Sequence, residues 1–163
     1  MRIAAEPLIL EAFAPFGQVI DTAGRAPEAI NAGTTARYAD LASLDLRGPA
    51  ADPVLGIYVA RARAFPLAIA VLERHREAAQ VFVPLGAHRF IVVVAPGDEA
   101  PLWRQVRAFI TAPWQGVSLH RGCWHHGLVA LNDGDRFVVI EGGGYRGDVA
   151  EEAASEPIEL GPP

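Results

Sequence analysis

Between clusters of Gly, Pro, Asn and Asp the chain carries short apolar runs: GIYVA (56–60), PLAIAVLE (66–73), QVFVP (80–84), RFIVVVA (89–95), VRAFIT (106–111) and RFVVIE (136–141). Their length and their richness in β-branched and aromatic residues fit strands, and a turn signal follows each quickly. APGD, NDGD and PLGAH supply the Gly, Asp and Asn that accept positive φ or make local turn bonds. Helical periodicity is weak. LILEAFAPF (8–16) and AEEAAS (150–155) are the best candidates, and neither is long enough to organise a helical core. The pattern predicts an all-β sandwich or barrel, one domain over 1–163, in which 148–163 is an edge segment with a frayed C-terminal tail.

Composition narrows the function classes. With 163 residues, 51% of them apolar, the chain can bury a sizeable core, and no apolar run approaches the ~18 residues of a membrane span. The net charge is −5, and all 14 positive charges are Arg, scattered without a basic run, which argues against a nucleic-acid partner. Cys123 is the single cysteine, so an internal disulfide and a multi-cysteine zinc site are excluded. The opening MRIAAEPLILEAF is broken by Glu6 and Glu11 and does not read as a signal peptide, which makes the cytoplasm the expected location.

Candidate chemistry gathers in two stretches, LERH and QGVSLHRGCWHH; the second holds three of the five histidines. In a strand, residues two apart share a face, so Glu73 and His75 stand side by side while Arg74 points the other way. Gln80 begins the next strand and can return to that face. Gly122 allows a tight bend, and only one of His125 and His126 can face the interior.

The spacing of Glu73-x-His75, Gln80 and Gly86, then Gly116 and His120-x-Gly122-x-x-His125, resembles the two cupin motifs with several letters changed. The changed letters resemble the ureidoglycolate lyase family, whose signature segments are similar to LERH, QVFVP, VVVA, RAFIT and QGVSLHRGCWHH here; the likeness runs from about RYADL at Arg37 to FVVIE at Glu141. That resemblance implies a cupin-like double-stranded β-helix barrel, a homodimer, cleavage of ureidoglycolate to glyoxylate and urea in allantoin (purine) catabolism, and a divalent metal, Ni2+ in the family. It departs at three points. Arg76 replaces the Pro that follows Glu-Arg-His, His88 stands in the loop after VFVPL, and Gly142 replaces an Arg.

Glu73, His75, His120 and His125 are therefore the expected catalytic groups, with Glu73, His75 and His125 as a two-His-one-carboxylate metal set. Gln80 replaces the usual carboxylate ligand and joins Arg37 and Arg107 as an expected substrate contact, because an Arg fork suits a carboxylate. The plainer alternative makes the two imidazoles core groups bonded to backbone, His120 structural, and Cys123 buried and inert. Two rival functions share the frame: a cupin metalloenzyme of another class, dioxygenase or isomerase, and a non-catalytic cupin that binds a small carboxylate.

Overall fold

The computed structural model describes residues 1–143 and 147–163. β1 (Arg2–Ile3) and β2 (Ala5–Pro7) open the chain, and a single helical turn, α1 (Leu10–Phe13), leads into β3 (Gly17–Ile20). A hairpin of β4 (Glu28–Ile30) and β5 (Thr35–Arg37) precedes β6 (Pro53–Val59), β7 (Leu67–His75), β8 (Gln80–Pro84), β9 (Phe90–Ala95) and β10 (Arg107–Ile110). The remaining strands are β11 (Gly116–Leu119), β12 (Trp124–His125), β13 (Val129–Ala130), β14 (Arg136–Gly142) and β15 (Val149–Leu160).

They build a cupin-like β-barrel from two facing sheets. The larger has the order β1-β15-β7-β12-β9-β10-β2, with β13 beside β9; the smaller has the order β3-β11-β8-β14-β6. β1 and β2 are neighbours in the chain yet occupy opposite ends of the larger sheet, pairing parallel with β15 and β10. The strand runs legible in the sequence all form strands: β8 and β9 are buried on both sides, and β6 is held by its ladder with β14 although none of its residues is buried.

Alternation gives the larger sheet a core on each side. Phe90, Val92 and Val94 of β9 join Phe82, Val117, Phe137 and Val139 in the core between the sheets. Ile91, Val93 and Ala95 join Leu72, Trp124 and Leu160 in a second core on the opposite side. No helix among the described residues is long and apolar enough to cross a membrane.

Two expectations about the C-terminal segment are overturned. AEEAAS is not helical: its Glu and Ala favour a helix as an isolated peptide, but Val149–Ala153 align antiparallel with His75–Val71, and the ladder outweighs local propensity. Nor is the segment an edge, since Glu159 and Leu160 lie between β7 and β1 and Leu160 is fully buried.

Candidate active site

The site starts with a change of register in β7. Val71 pairs with Ala153 and Ile69 with Ile158, so the β15 side carries a bulge there. Beyond it Leu72 faces the second core and Arg74 lies over the Trp124 ring at 4.5 Å, which sends Glu73 and His75 toward the cleft between the sheets. Arg74 also donates to the Asp98 carbonyl and pairs with Glu99, as its outward direction predicts.

The turn before β12 supplies the third group. Gly122 takes φ +80, a conformation that costs a residue with Cβ, and its N–H donates to the His75 carbonyl at 2.7 Å. β12 then aligns His125 opposite Glu73, and Trp124 enters the core on the other side. Glu73, His75 and His125 each offer a ligand atom within 4.8 Å of the others. His125 Nε2 stands 3.6 Å from Glu73 Oε1, and the two imidazole centroids are 5.4 Å apart.

The tautomer of His125 follows from its surroundings. Its Nδ1 lies 2.9 Å from the Cys123 carbonyl, which can only accept, so Nδ1 carries the proton and Nε2 turns a lone pair toward the cleft. Burial lowers the imidazole to about 4, with smaller contributions from His75 and His126, and keeps it neutral near pH 7. His75 is lowered by burial as well, against the pull of Asp148, Glu141 and a hydrogen bond with Gln80. Glu73 is raised, first by burial and then by Glu151 and Glu141. A lone pair aimed at a carboxylate is stabilised by a proton or a cation between them.

The smaller sheet contributes groups that the sequence reading missed. Glu141 accepts from Gln80 Nε2 at 3.0 Å and from the Tyr58 hydroxyl at 3.4 Å, which extends the polar wall across β8, β14 and β6. Parity could have found Glu141, since in RFVVIE it shares a face with the buried Phe137 and Val139. Tyr58 pairs with Phe137 in the ladder and so shares that face too. Desolvation and the nearby Glu141 and Glu73 raise its phenol, which stays protonated.

Other expected site residues lie elsewhere. His120 is exposed in the turn after β11, beside Pro15, Phe16 and Cys123, and the Cys123 carbonyl rather than His120 orients His125. Arg107 is engaged bidentately by Glu6 at 2.8 and 2.9 Å and stacks on Phe109. Arg37 is exposed on β5, 3.4 Å from Glu28. His126 bonds the Gly127 carbonyl and is no part of the three-residue cluster. Burial pushes the Cys123 thiol up to about 12, which leaves it inert.

The profile of the ureidoglycolate lyase family matches residues 1–161. This chain belongs to the ureidoglycolate lyase family. Ureidoglycolate lyase of Azotobacter vinelandii is 48% identical over 161 residues, which cover 98% of this chain and 97% of that protein. Those of Stutzerimonas stutzeri and Burkholderia mallei are 42% and 40% identical over 158 residues, covering 97% of this chain and 93% and 92% of theirs.

Within this lyase family member the three departures have local explanations. His88 stacks edge-on against Phe137 and faces Asp135 at 3.7 Å, so it serves the fold. Arg76 is exposed on the rim of a cavity of about 520 Å³ that Arg74 and Arg121 also line. Gly142 is the constrained one: an added Cβ would lie 2.6 Å from Ala50 Cβ and 2.8 Å from Ala78 Cβ, so this backbone leaves no space for an Arg.

Proposed function

We propose that this protein cleaves ureidoglycolate to glyoxylate and urea in allantoin catabolism, acting as a cytoplasmic homodimer with Glu73, His75 and His125 as its catalytic centre. The observation that carries the reading is the convergence of those three side chains in one cleft, with a bare, buried Nε2 aimed at a carboxylate.

Ureidoglycolate is a carbinolamide, and its collapse needs one base and one acid. The hydroxyl proton leaves, the C=O forms, the C–N pair goes to the urea nitrogen, and that nitrogen takes a proton. Glu73 is suited to both steps, because its raised pKa makes it a better base than an ordinary carboxylate and a competent acid once protonated. His75 and His125 are neutral and accept hydrogen bonds or coordinate. Gln80 and Tyr58, anchored on Glu141, line the cleft and fix the polar ends of the substrate.

A divalent ion fits this donor set. Two neutral imidazoles, one with its lone pair already directed inward, and a carboxylate within 4.8 Å would hold it. Bound there it would supply Lewis-acid stabilisation of negative charge on the substrate oxygens. Nickel is the ion the family likeness suggests.

The test is the purified protein with ureidoglycolate, following glyoxylate and urea in equal amounts, with chelator and with added nickel. Formation of ammonia in place of urea, or no turnover in any of these conditions, would overturn the assignment.

A further inference from the structure

Ureidoglycolate is an anion, and the cleft walls are acidic. Glu141 joins Glu73 there, so a substrate carboxylate set between those two groups would meet like charge. The sign of the wall changes where β6 ends. Tyr58, Ala60, Arg61, Arg63 and Leu128 line a cavity of about 590 Å³, a size suited to a small ligand.

Tyr58 is common to this cavity and to the cleft. Its ring stands edge-on to Phe82 with centroids 6.4 Å apart, and its hydroxyl donates to Glu141 at 3.4 Å, the same carboxylate that accepts from Gln80. Ala60 and Leu128 pack against the core between the sheets, so cavity and cleft rest on one floor. Leu128 follows His125 by three positions, and the cavity therefore lies between the end of β6 and the segment that leaves the histidine cluster. His126, in that segment, is lowered by burial and also by the charge of Arg63.

The backbone that carries the two arginines is fixed. The Ala60 N–H donates to the Asp135 carbonyl at 2.8 Å, and the Ala60 carbonyl accepts from the Gly134 N–H at 2.9 Å. The Ala62 N–H donates to the Asp133 carboxylate at 2.9 Å and the Arg63 N–H to the Ala130 carbonyl at 3.1 Å. Their guanidinium groups are left available. Among the described residues neither donates a hydrogen bond or pairs with a carboxylate, whereas Glu6 takes Arg107 and Asp45 takes both Arg47 and Arg121. Two guanidinium forks on a rigid segment suit one carboxylate.

We infer that Arg61 and Arg63 hold the substrate carboxylate in this cavity, with the Tyr58 hydroxyl between it and the Glu73–His75–His125 centre. The carbinolamide is then anchored at one end, and a compound without the carboxylate binds weakly. The inference rests on the proposed lyase reading for the identity of the substrate, and on the cavity alone for the existence of a carboxylate site.

Steady-state kinetics with ureidoglycolate test the role. Arg61→Ala and Arg63→Ala should each raise KM at least ~10-fold with little change in kcat, because a carboxylate held at a distance from the reacting carbon is bound equally in ground and transition states. Arg63→Lys should recover part of the loss, since it restores the charge without the fork. Arg25→Ala/Arg104→Ala removes the same charge as the double variant from two other exposed positions and should leave KM unchanged. Unchanged KM in Arg61→Ala/Arg63→Ala, or an equal rise in the control, overturns the inference.

A second measurement does not depend on turnover. Glyoxylate, titrated into chelator-treated protein by calorimetry, should bind wild type at least ~10-fold more tightly than Arg61→Ala/Arg63→Ala, with the two proteins melting alike. Equal binding, or none to wild type, overturns the inference. If wild type leaves ureidoglycolate untouched while the double variant loses glyoxylate, the carboxylate site stands and the lyase reading falls. If ureidoglycolate is cleaved and the double variant keeps both its KM and its glyoxylate affinity, the lyase reading stands and the arginine pair falls.

Discussion

Gly142→Ala isolates how tightly the floor of the cleft is set. Two effects oppose each other. The position does not use the left-handed region, so Ala is conformationally allowed, and by restricting the unfolded chain it would stabilise by about 0.4–1 kcal/mol. Against that, the new Cβ would meet Ala50 Cβ at 2.6 Å, the Ala50 carbonyl oxygen at 2.7 Å and Ala78 Cβ at 2.8 Å. All three atoms are fixed to backbone, so none can rotate away, and overpacking of this kind costs about 1–3 kcal/mol. With three such contacts the upper end applies, and the net loss is about 2 kcal/mol. For a chain of this size that lowers Tm by about 4–8 °C.

The assay is a thermal melt paired with a urea midpoint, with Gly127→Ala as the control, since nothing lies within 4 Å of a Cβ there. Ala50→Gly should restore part of the loss and no more, because the Ala50 carbonyl oxygen remains. If Gly142→Ala melts with Gly127→Ala, the close approach is not real and the account of the family's missing Arg goes with it.

The other expectations concern the cleft. Glu73→Gln should lower kcat by about 10²–10⁴ with little change in Tm, read from glyoxylate release; a merely structural carboxylate would reverse that ranking. His125→Ala should lose at least ~10² in turnover while His126→Ala stays near wild type, and equal losses would refute the division between cleft and rim. Nickel at about 100 times its Kd should raise stability by about 2.7 kcal/mol in wild type and much less in His125→Ala, by melting with and without chelator. Between its ordinary 6.5 and about 4, His125 takes up a proton in the unfolded chain but not in the folded one, so its contribution is complete above 6.5 and is lost as pH falls. The loss is about 2 kcal/mol at pH 5, and His125→Asn should flatten that slope in apo protein; since the raised Glu73 acts in the opposite direction, the comparison of variants is decisive.

Strand periodicity made most of the barrel legible, and the two-residue spacing of Glu73 and His75 together with the single inward place of His125 made the cluster legible. The sequence was silent where a tertiary partner decides. β12 and β13 are two residues each, too short for any periodic signal, and AEEAAS becomes a strand only because β7 offers a ladder. His120 looked like a site residue because it holds a motif position, but that position is a turn whose side chain is solvated. Arg107 looked free because its partner Glu6 is about a hundred positions away in the chain. Tyr58 and Glu141 were hidden for the opposite reason: each sits in an apolar run that reads as core, and only pairing across β6 and β14 shows that their common face opens onto the histidines.

β1 and β2 give the chain's two ends a common task. Arg2 pairs with Glu159 in the ladder and by a 2.6 Å ion pair, while Ala5 to Pro7, a few residues on, hold the opposite margin of the same sheet. The seam of the barrel is thus sewn by Arg2–Pro7 together with Glu159 and Leu160. Nearly the whole chain intervenes between them, a separation that makes this among the slowest contacts to form. The ring cannot shut before both of these segments are in place. An extension fused ahead of Met1, or removal of Arg2–Pro7, acts on that seam, more than thirty positions upstream of any residue of the cleft.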